Sequence, residues 1–79
     1  MYLSDAMRKR IKELIEENNS NGNKLALESG IDRSSVFRFL KGQYKSIKIE
    51  TITLICQSLN ISLKEFFDSE LFKDVEVKD

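Results

Sequence analysis

Apolar residues recur at helical spacing near the start of the chain. They lie three or four residues apart, which is the spacing of one face of an α-helix: Met7, Ile11, Leu14 and Ile15. Ser4 offers a side-chain cap, and Asp5 an acid for the first turn. We therefore predict a first helix over residues 4–18, opened by Ser4.

Two short helices joined by a tight turn are predicted next. Residues 18–22 have turn chemistry, because Asn and Ser side chains bond nearby backbone and Gly22 accepts a positive φ. A second helix is expected over residues 23–29, ended by Gly30 in a left-handed conformation. Asp32 then caps a third helix over residues 33–41, which ends at Gly42. The apolar residues on either side of the turn have helix-turn-helix spacing: Leu25, Ala26, Ile31, Val36 and Leu40.

The second half of the chain predicts two more helices and a tail. A fourth helix ends at Asn60, and its buried face consists of Ile49, Ile52, Ile55, Cys56 and Leu59. Ser62 and Glu65 fit a capping box that opens a fifth helix carrying Phe66 and Phe67. From Lys73 onward, valines alternate with charges, which predicts a frayed end or a short edge strand. We expect an all-α, five-helix domain over residues 1–72 and a tail over residues 73–79.

Composition excludes most kinds of chemistry. The chain has 79 residues, no His and one Cys, so it lacks the residues for a zinc site, a disulfide framework or a Cys/His or Ser/His nucleophile pair. We predict no enzymatic activity, no cofactor and no metal. Charged residues make up 33% of the chain and interrupt every apolar run that could cross a membrane. We therefore expect a soluble, cytoplasmic protein that does not bind membranes.

Charge is unevenly distributed along this neutral chain. Thirteen basic residues balance thirteen acidic ones, which taken alone argues against nucleic-acid binding. Residues 33–48, however, contain five basic residues and no acidic one, whereas residues 63–79 contain three basic and six acidic residues. Phosphate attraction depends on the local field. The third helix and the segment after it are thus predicted to form a cationic surface that attracts phosphate. The alternative is a cationic helix face that contacts only solvent.

These motifs resemble the Cro and phage-repressor type of helix-turn-helix, the xenobiotic-response-element family. The segment LALESGIDRSSVFRFLKG is similar to its turn and recognition helix, and IETITLICQSLNISLKEFF to its fourth and fifth helices. The resemblance covers residues 7–70. It implies a lambda-repressor-like fold. It also implies a transcriptional regulator, with repression as the expected activity, that binds double-stranded DNA with the third helix in the major groove.

The third helix supplies the candidate base contacts. If Val36, Phe39 and Leu40 face the core, helical geometry puts Lys41 on the outward face together with Arg33, Ser34, Phe37 and Arg38. The resemblance implies that the first residues of the helix, Arg33 and Ser34, contact bases, with Arg38 one turn further along. Arg can bind guanine O6 and N7 through two hydrogen bonds, although a phosphate contact is the alternative for both arginines. Phe37 either touches a thymine methyl or lies over the stems of Arg33 or Lys41.

Phosphate contacts are expected from two segments that match backbone-contacting regions of the family. The first begins the second helix, where free N–H groups and the helix dipole favour an anion. It consists of Asn21, Gly22, Asn23 and Lys24, and Asn21 is also expected to cap the helix. The second follows the third helix and consists of Lys41, Gly42, Gln43, Tyr44 and Lys45. Ser35 is expected to lie near the DNA backbone.

Two departures from the family pattern concern stability. The family commonly has a buried Arg–Glu pair where this chain has Ile15 and Leu40. Replacing such a pair by packed apolar residues is often neutral or stabilising, so we predict a direct contact between Ile15 and Leu40. Lys48 stands where a Ser or Thr usually caps the fourth helix, which makes the start of that helix less well defined.

The apolar C-terminal end of the chain and the family resemblance indicate the binding partners that we expect. Phe67, Leu71 and Phe72 extend the apolar set beyond what a short helix needs, so they are candidate dimer-interface residues; the alternative is that they close the monomer's own core. A homodimer would bind a palindromic or pseudopalindromic operator. No small-molecule effector site is evident. The alternative function is a protein-interaction module, such as an antitoxin or adaptor, with the same fold.

Overall fold

The predicted five-helix, all-α fold is confirmed. The computed structural model describes residues 1–44 and 46–77. Its helices are α1 (Leu3–Glu17), α2 (Gly22–Ser29), α3 (Arg33–Leu40), α4 (Ile49–Leu59) and α5 (Leu63–Phe67), followed by a short 3₁₀ helix (Glu70–Phe72). The described residues contain no β-strand. The 3₁₀ helix has no counterpart among the sequence predictions.

One apolar core joins all five helices. Ile11 from α1, Leu25 from α2, Ile52 from α4 and Phe66 from α5 are almost completely buried, and α3 contributes Val36 and Phe39. These residues belong to the apolar sets that helical spacing predicted. Cys56 is buried among them, and this burial raises the pKa of its thiol, which disfavours the reactive thiolate.

Ile15 and Leu40 have the surroundings expected of an apolar replacement for an ion pair. Both are half-buried and pack against the core, and their helices α1 and α3 contact each other. A direct contact between the two side chains stays a prediction.

The C-terminal ends of α2 and α4 follow the predicted chemistry, but the turn before α2 does not. Gly30 and Asn60 end α2 and α4 with positive φ angles of 76° and 58°. The prediction that Gly22 supplies a positive φ to the first turn was wrong. Asn19 takes that role, with φ 51°, while Gly22 begins α2. Asn tolerates the left-handed region better than most residues, which makes a glycine unnecessary there.

Helix α1 begins earlier than predicted, and Ser4 does not cap it. Tyr2 is the N-cap residue and makes no side-chain capping bond. Instead, the Leu3 N–H donates to the Glu76 carbonyl at 2.9 Å, and the Glu76 N–H donates to the Met1 carbonyl at 3.1 Å. The tail thus forms a single parallel bridge, Tyr2 to Glu76, and satisfies one of the free N–H groups of the first turn. This contact between distant residues explains why the local sequence signal misled.

Helix α5 is held to α1 by an arginine. Arg10 Nε donates to the Phe66 carbonyl at 2.7 Å, and its terminal nitrogen donates to the Glu65 carbonyl at 2.8 Å. Ser62 caps the other end of α5 by accepting from the Glu65 N–H at 3.0 Å, as the capping-box pattern predicted. Both ends of this five-residue helix therefore have partners.

Candidate nucleic-acid interface

Helices α2 and α3 form a helix-turn-helix whose inner faces are fixed by the core. Leu25 and Ala26 of α2 and Val36 and Phe39 of α3 are buried. This burial sets the rotation of α3 about its own axis and leaves four predicted outward residues exposed: Arg33, Ser34, Arg38 and Lys41. The structure thus brings three of the four candidate base-contacting residues, together with Lys41, to one exposed face.

Phe37, the fifth predicted outward residue of α3, is less exposed than these four. Its side chain is half-buried, and the Arg33 guanidinium lies 5.6 Å from the centroid of its ring. The ring tip also approaches α2, because a Cβ added at Gly22 would lie 2.9 Å from Phe37 Cζ. This arrangement favours the hypothesis that Phe37 packs against its neighbours, and it gives Gly22 a packing role in addition to its candidate phosphate contact.

Asp32 organises the start of α3. Its carboxylate accepts from the Ser35 N–H at 3.3 Å and from the Ser34 hydroxyl. These hydrogen bonds, first that of Ser34 and then that of Ser35, lower the pKa of Asp32 below its usual value, so the cap is ionised at neutral pH. The Ser34 hydroxyl is therefore engaged by a carboxylate in the unbound protein, and a base contact would have to compete with that bond.

Arg38 is supported by an aromatic ring of the segment that follows α3. Its guanidinium lies 5.9 Å from the centroid of the Tyr44 ring, and Tyr44 in turn packs half-buried against the core. Both arginines of α3 thus lie over aromatic rings, at a distance where cations and aromatic faces attract each other. Such support lowers the number of conformations that each arginine loses on binding DNA.

The first candidate phosphate segment starts α2 with a side-chain cap. Asn21 Oδ1 accepts from the Lys24 N–H at 2.9 Å, which confirms the predicted capping role and leaves the Asn21 amino group as a donor. Asn23 and Lys24 are exposed. Lys24 Nζ lies 3.9 Å from Glu28, an exposed pair of the kind that contributes little to stability.

The second candidate phosphate segment begins with a tight turn after α3. Gly42 has φ 77°, and the Gln43 N–H donates back to the Arg38 carbonyl at 3.0 Å. Lys41 and Gln43 are exposed, and Ser35 is half-buried. Lys45, also a candidate, lies outside the described residues. The turn therefore keeps the described part of this segment close to the C-terminal end of α3.

Arg8 is a cation near this segment that sequence reasoning missed. Its guanidinium lies directly against Gly42, with Cζ 3.2 Å from where a Cβ of that residue would be. Arg8 precedes Ile15 by seven residues, about two helical turns, and hence lies on the same face of α1. That spacing was the available signal, because Ile15 was expected to face α3.

An open cleft of about 440 Å³ lies beside the segment that joins α3 to α4. Its walls are mainly apolar and come from α1 to α4 and from the segment that joins α3 to α4, including Leu40, Tyr44 and Ile47. Clefts of this size can hold small ligands. The expectation that the chain has no effector site therefore stays a prediction.

The candidate dimer residues also take part in the monomer's packing. Phe66, Phe67 and Phe72 form an aromatic cluster, with ring centroids 4.9 Å apart for Phe66–Phe67 and 5.0 Å apart for Phe67–Phe72. Phe67 and Phe72 pack against the core, yet both remain half-buried, as does Leu71. These residues therefore contribute to the monomer while keeping part of their surface accessible.

The fold and the exposed face of α3 define a helix-turn-helix domain. The family model for the Cro/C1-type HTH DNA-binding domain matches residues 10–70, which is most of the chain. The protein therefore belongs to this family, whose members are DNA-binding regulators rather than enzymes. No curated protein and no solved structure matches the chain significantly. Among the described residues, no helix has the length and apolar character needed to cross a membrane.

Proposed function

We propose that this protein is a sequence-specific transcriptional regulator that acts as a repressor, with α3 in the major groove of its operator. The observation that carries the proposal is the pair Arg33 and Arg38. Both are exposed on the outer face of α3, and each is supported by an aromatic ring. An arginine held in this way can present its guanidinium to guanine O6 and N7.

Phosphate contacts flank α3 on both sides in this proposal. Asn21, Gly22, Asn23 and Lys24 at the start of α2 form one set, and Lys41, Gln43, Tyr44 and Lys45 the other, with Ser35 close to the backbone. Such contacts release counterions, so affinity depends steeply on salt. If a dimer neutralises about 6 to 10 phosphates, its affinity falls by about 10³- to 10⁵-fold between 50 and 200 mM salt.

Ser34 and Phe37 have narrower roles. Ser34 already donates to Asp32, and Phe37 is partly covered by its neighbours, so each contributes less to base discrimination than the two arginines. A dimer formed through Phe67, Leu71 and Phe72 places two copies of α3 on a palindromic or pseudopalindromic site. Occupancy of such a site in a promoter excludes polymerase, which is the simplest route to repression for a chain of this size.

The test selects bound duplexes from a random DNA pool and then measures the affinity for the enriched site. Replacing both arginines, Arg33→Ala with Arg38→Ala, should weaken binding at least about 30-fold, since each two-bond contact with guanine contributes about 1–3 kcal/mol. Lys64→Ala with Lys73→Ala is the matched control. It removes the same charge from exposed positions in the acidic C-terminal part of the chain and should retain binding within a few fold.

Two results would contradict the proposal. One is the absence of any enriched sequence. The other is an Arg33/Arg38 variant that keeps its helical circular dichroism and binds the enriched site as tightly as the unaltered protein. Either result would favour the protein-interaction module instead.

A further inference from the structure

Helix α1 brings a guanidinium to the turn after α3. The Arg8 side chain is 23% exposed, and one of its terminal nitrogens lies 3.1 Å from Asp5 Oδ1. The other terminal nitrogen packs against Gly42 so closely that no Cβ would fit between them. Arg8 is thus fixed from two sides, by a carboxylate on its own helix and by the backbone of the turn after α3.

We propose that Arg8 is a further DNA-phosphate-binding residue, which α1 presents beside the turn at Gly42. The proposal rests on the proposed DNA-binding function. Its basis is position: Gly42 lies between Lys41 and Gln43, both exposed candidates for phosphate contact. A phosphate that approaches this turn therefore also approaches Arg8.

The chemistry of the guanidinium suits this role. It carries five N–H donors in a planar fork, and Asp5 engages only one edge of that fork. The Asp5–Arg8 pair is partly exposed, and exposed ion pairs contribute little to stability. A phosphate can therefore share Arg8 with Asp5 or displace it at little cost. Asp5 acts as a positioning residue that holds the guanidinium beside Gly42 in the unbound protein.

Gly42 is part of the same arrangement. Its positive φ of 77° is needed for the turn, but its missing side chain is also what lets the guanidinium lie against the backbone. Any larger residue would push Arg8 away from the segment that follows α3. The contact therefore extends the cationic surface from residues 33–48 onto α1, a helix that contains four basic and four acidic residues.

The experiment compares Arg8→Gln with the neighbouring Lys9→Gln. Both variants remove one positive charge from α1, and Lys9 is exposed at the adjacent position, about 100° around the helix. The affinity for the enriched operator is measured between 50 and 200 mM salt. Log affinity falls with log salt, and Arg8→Gln should make this slope less negative by about 0.9 per bound protomer. Lys9→Gln should leave the slope unchanged. Arg8→Lys keeps the charge and should keep the slope.

Three results would overturn the proposal. They are an unchanged slope for Arg8→Gln, an equal change of slope for both Gln variants, or a change of slope for Arg8→Lys as large as that for Arg8→Gln. The last would mean that Arg8 acts only by packing against Gly42. If Arg8→Gln fails to fold, nuclear magnetic resonance on the unaltered protein replaces it. The Arg8 Nε–H signal should shift when operator is added, and an unmoved signal would refute the contact. Failure of the proposed function is distinguishable, because the unaltered protein would then bind no DNA at all.

Discussion

Individual glycines and asparagines show how far residue identity predicts conformation. Gly30 was correctly expected to adopt a positive φ, because it follows the last apolar residues of a helix. Gly22 was also expected to adopt a positive φ, because it stands in a polar turn, but it begins α2 and the Phe37 ring occupies the space that a side chain would need. Asn19 adopts the left-handed conformation instead. A glycine in a sequence indicates only that a side chain is missing. Whether a dihedral angle or a neighbouring ring requires that absence depends on contacts between separate helices.

Substituting Gly22 and Gly30 distinguishes a glycine required by a neighbouring ring from a glycine required by its dihedral angle. Gly22→Ala should destabilise the protein by about 1 kcal/mol, because the new Cβ would meet Phe37 Cζ at 2.9 Å and overpacking of this kind costs about 1–3 kcal/mol. A loss of stability would be informative, because alanine in a helix is otherwise more stable than glycine by up to about 1 kcal/mol. Urea unfolding of both proteins measures the difference.

The matched variant is Gly30→Ala, where a Cβ would have open space but φ is 76°. It should lose about 1–2 kcal/mol through backbone conformation alone, without any change at Phe37. A more stable Gly22→Ala protein would show that the Phe37 ring moves aside freely, and it would contradict the packing role of Gly22.

Helix boundaries were predictable where the cap is local. Asp32 and Ser62 each precede their helix directly, and each makes the expected bond to a backbone N–H three residues later. The start of α1 was not predictable, because the partner of its first N–H is the carbonyl of Glu76 at the other end of the chain. The bonds from Arg10 to Glu65 and Phe66 escaped prediction for the same reason. Sequence patterns report on neighbours along the chain and give no information about such distant polar partners.

Helix α5 should depend on Arg10 for its stability. The helix has five residues, and helices this short are unstable without tertiary partners. Arg10→Met keeps an apolar stem but removes both bonds to the helix carbonyls. Hydrogen bonds from charged groups contribute about 1.5–3 kcal/mol, so a loss of about 2 kcal/mol is expected. In a domain of this size that lowers the midpoint of thermal unfolding by roughly 10 °C.

Lys12→Met is the control, because Lys12 is an exposed residue of the same helix and loses the same charge. It should unfold within about 4 °C of the unaltered protein, as surface substitutions usually change stability by less than about 0.5 kcal/mol. Equal unfolding temperatures for the two variants would show that Arg10 contributes nothing specific.

Basic and acidic residues are concentrated in different blocks of the chain. The basic block over residues 33–48 contains α3, and the acidic block over residues 63–79 contains α5 and the 3₁₀ helix. This polarity could be counted from the sequence, and so could the order of the helices. What the sequence left open was how far Phe67 and Phe72 serve the monomer's own core. The aromatic cluster shows that they do so in part, which leaves Leu71 as the better probe of association between copies.

A dimer through this surface predicts a simple substitution effect. Leu71→Glu should convert the protein to a monomer at micromolar concentration, because a buried charge without a partner opposes association. Light scattering measures the change, and affinity for a palindromic operator should fall with it. Leu27→Glu is the control: Leu27 is 84% exposed on α2, away from the C-terminal residues in the sequence. A monomeric unaltered protein, or a Leu71→Glu variant that still dimerises, would refute the interface.

The bridge between Tyr2 and Glu76 has a practical consequence for labelling. It brings both ends of the described chain to one place, and Met1 and Leu71 line the same shallow depression there. A fluorophore attached at either end would therefore report from beside the proposed dimer surface. Energy transfer between two labelled copies would register association directly. If the chain associates through that surface, a bulky affinity tag attached at Met1 would obstruct the association, so the oligomeric state is best measured after the tag has been removed.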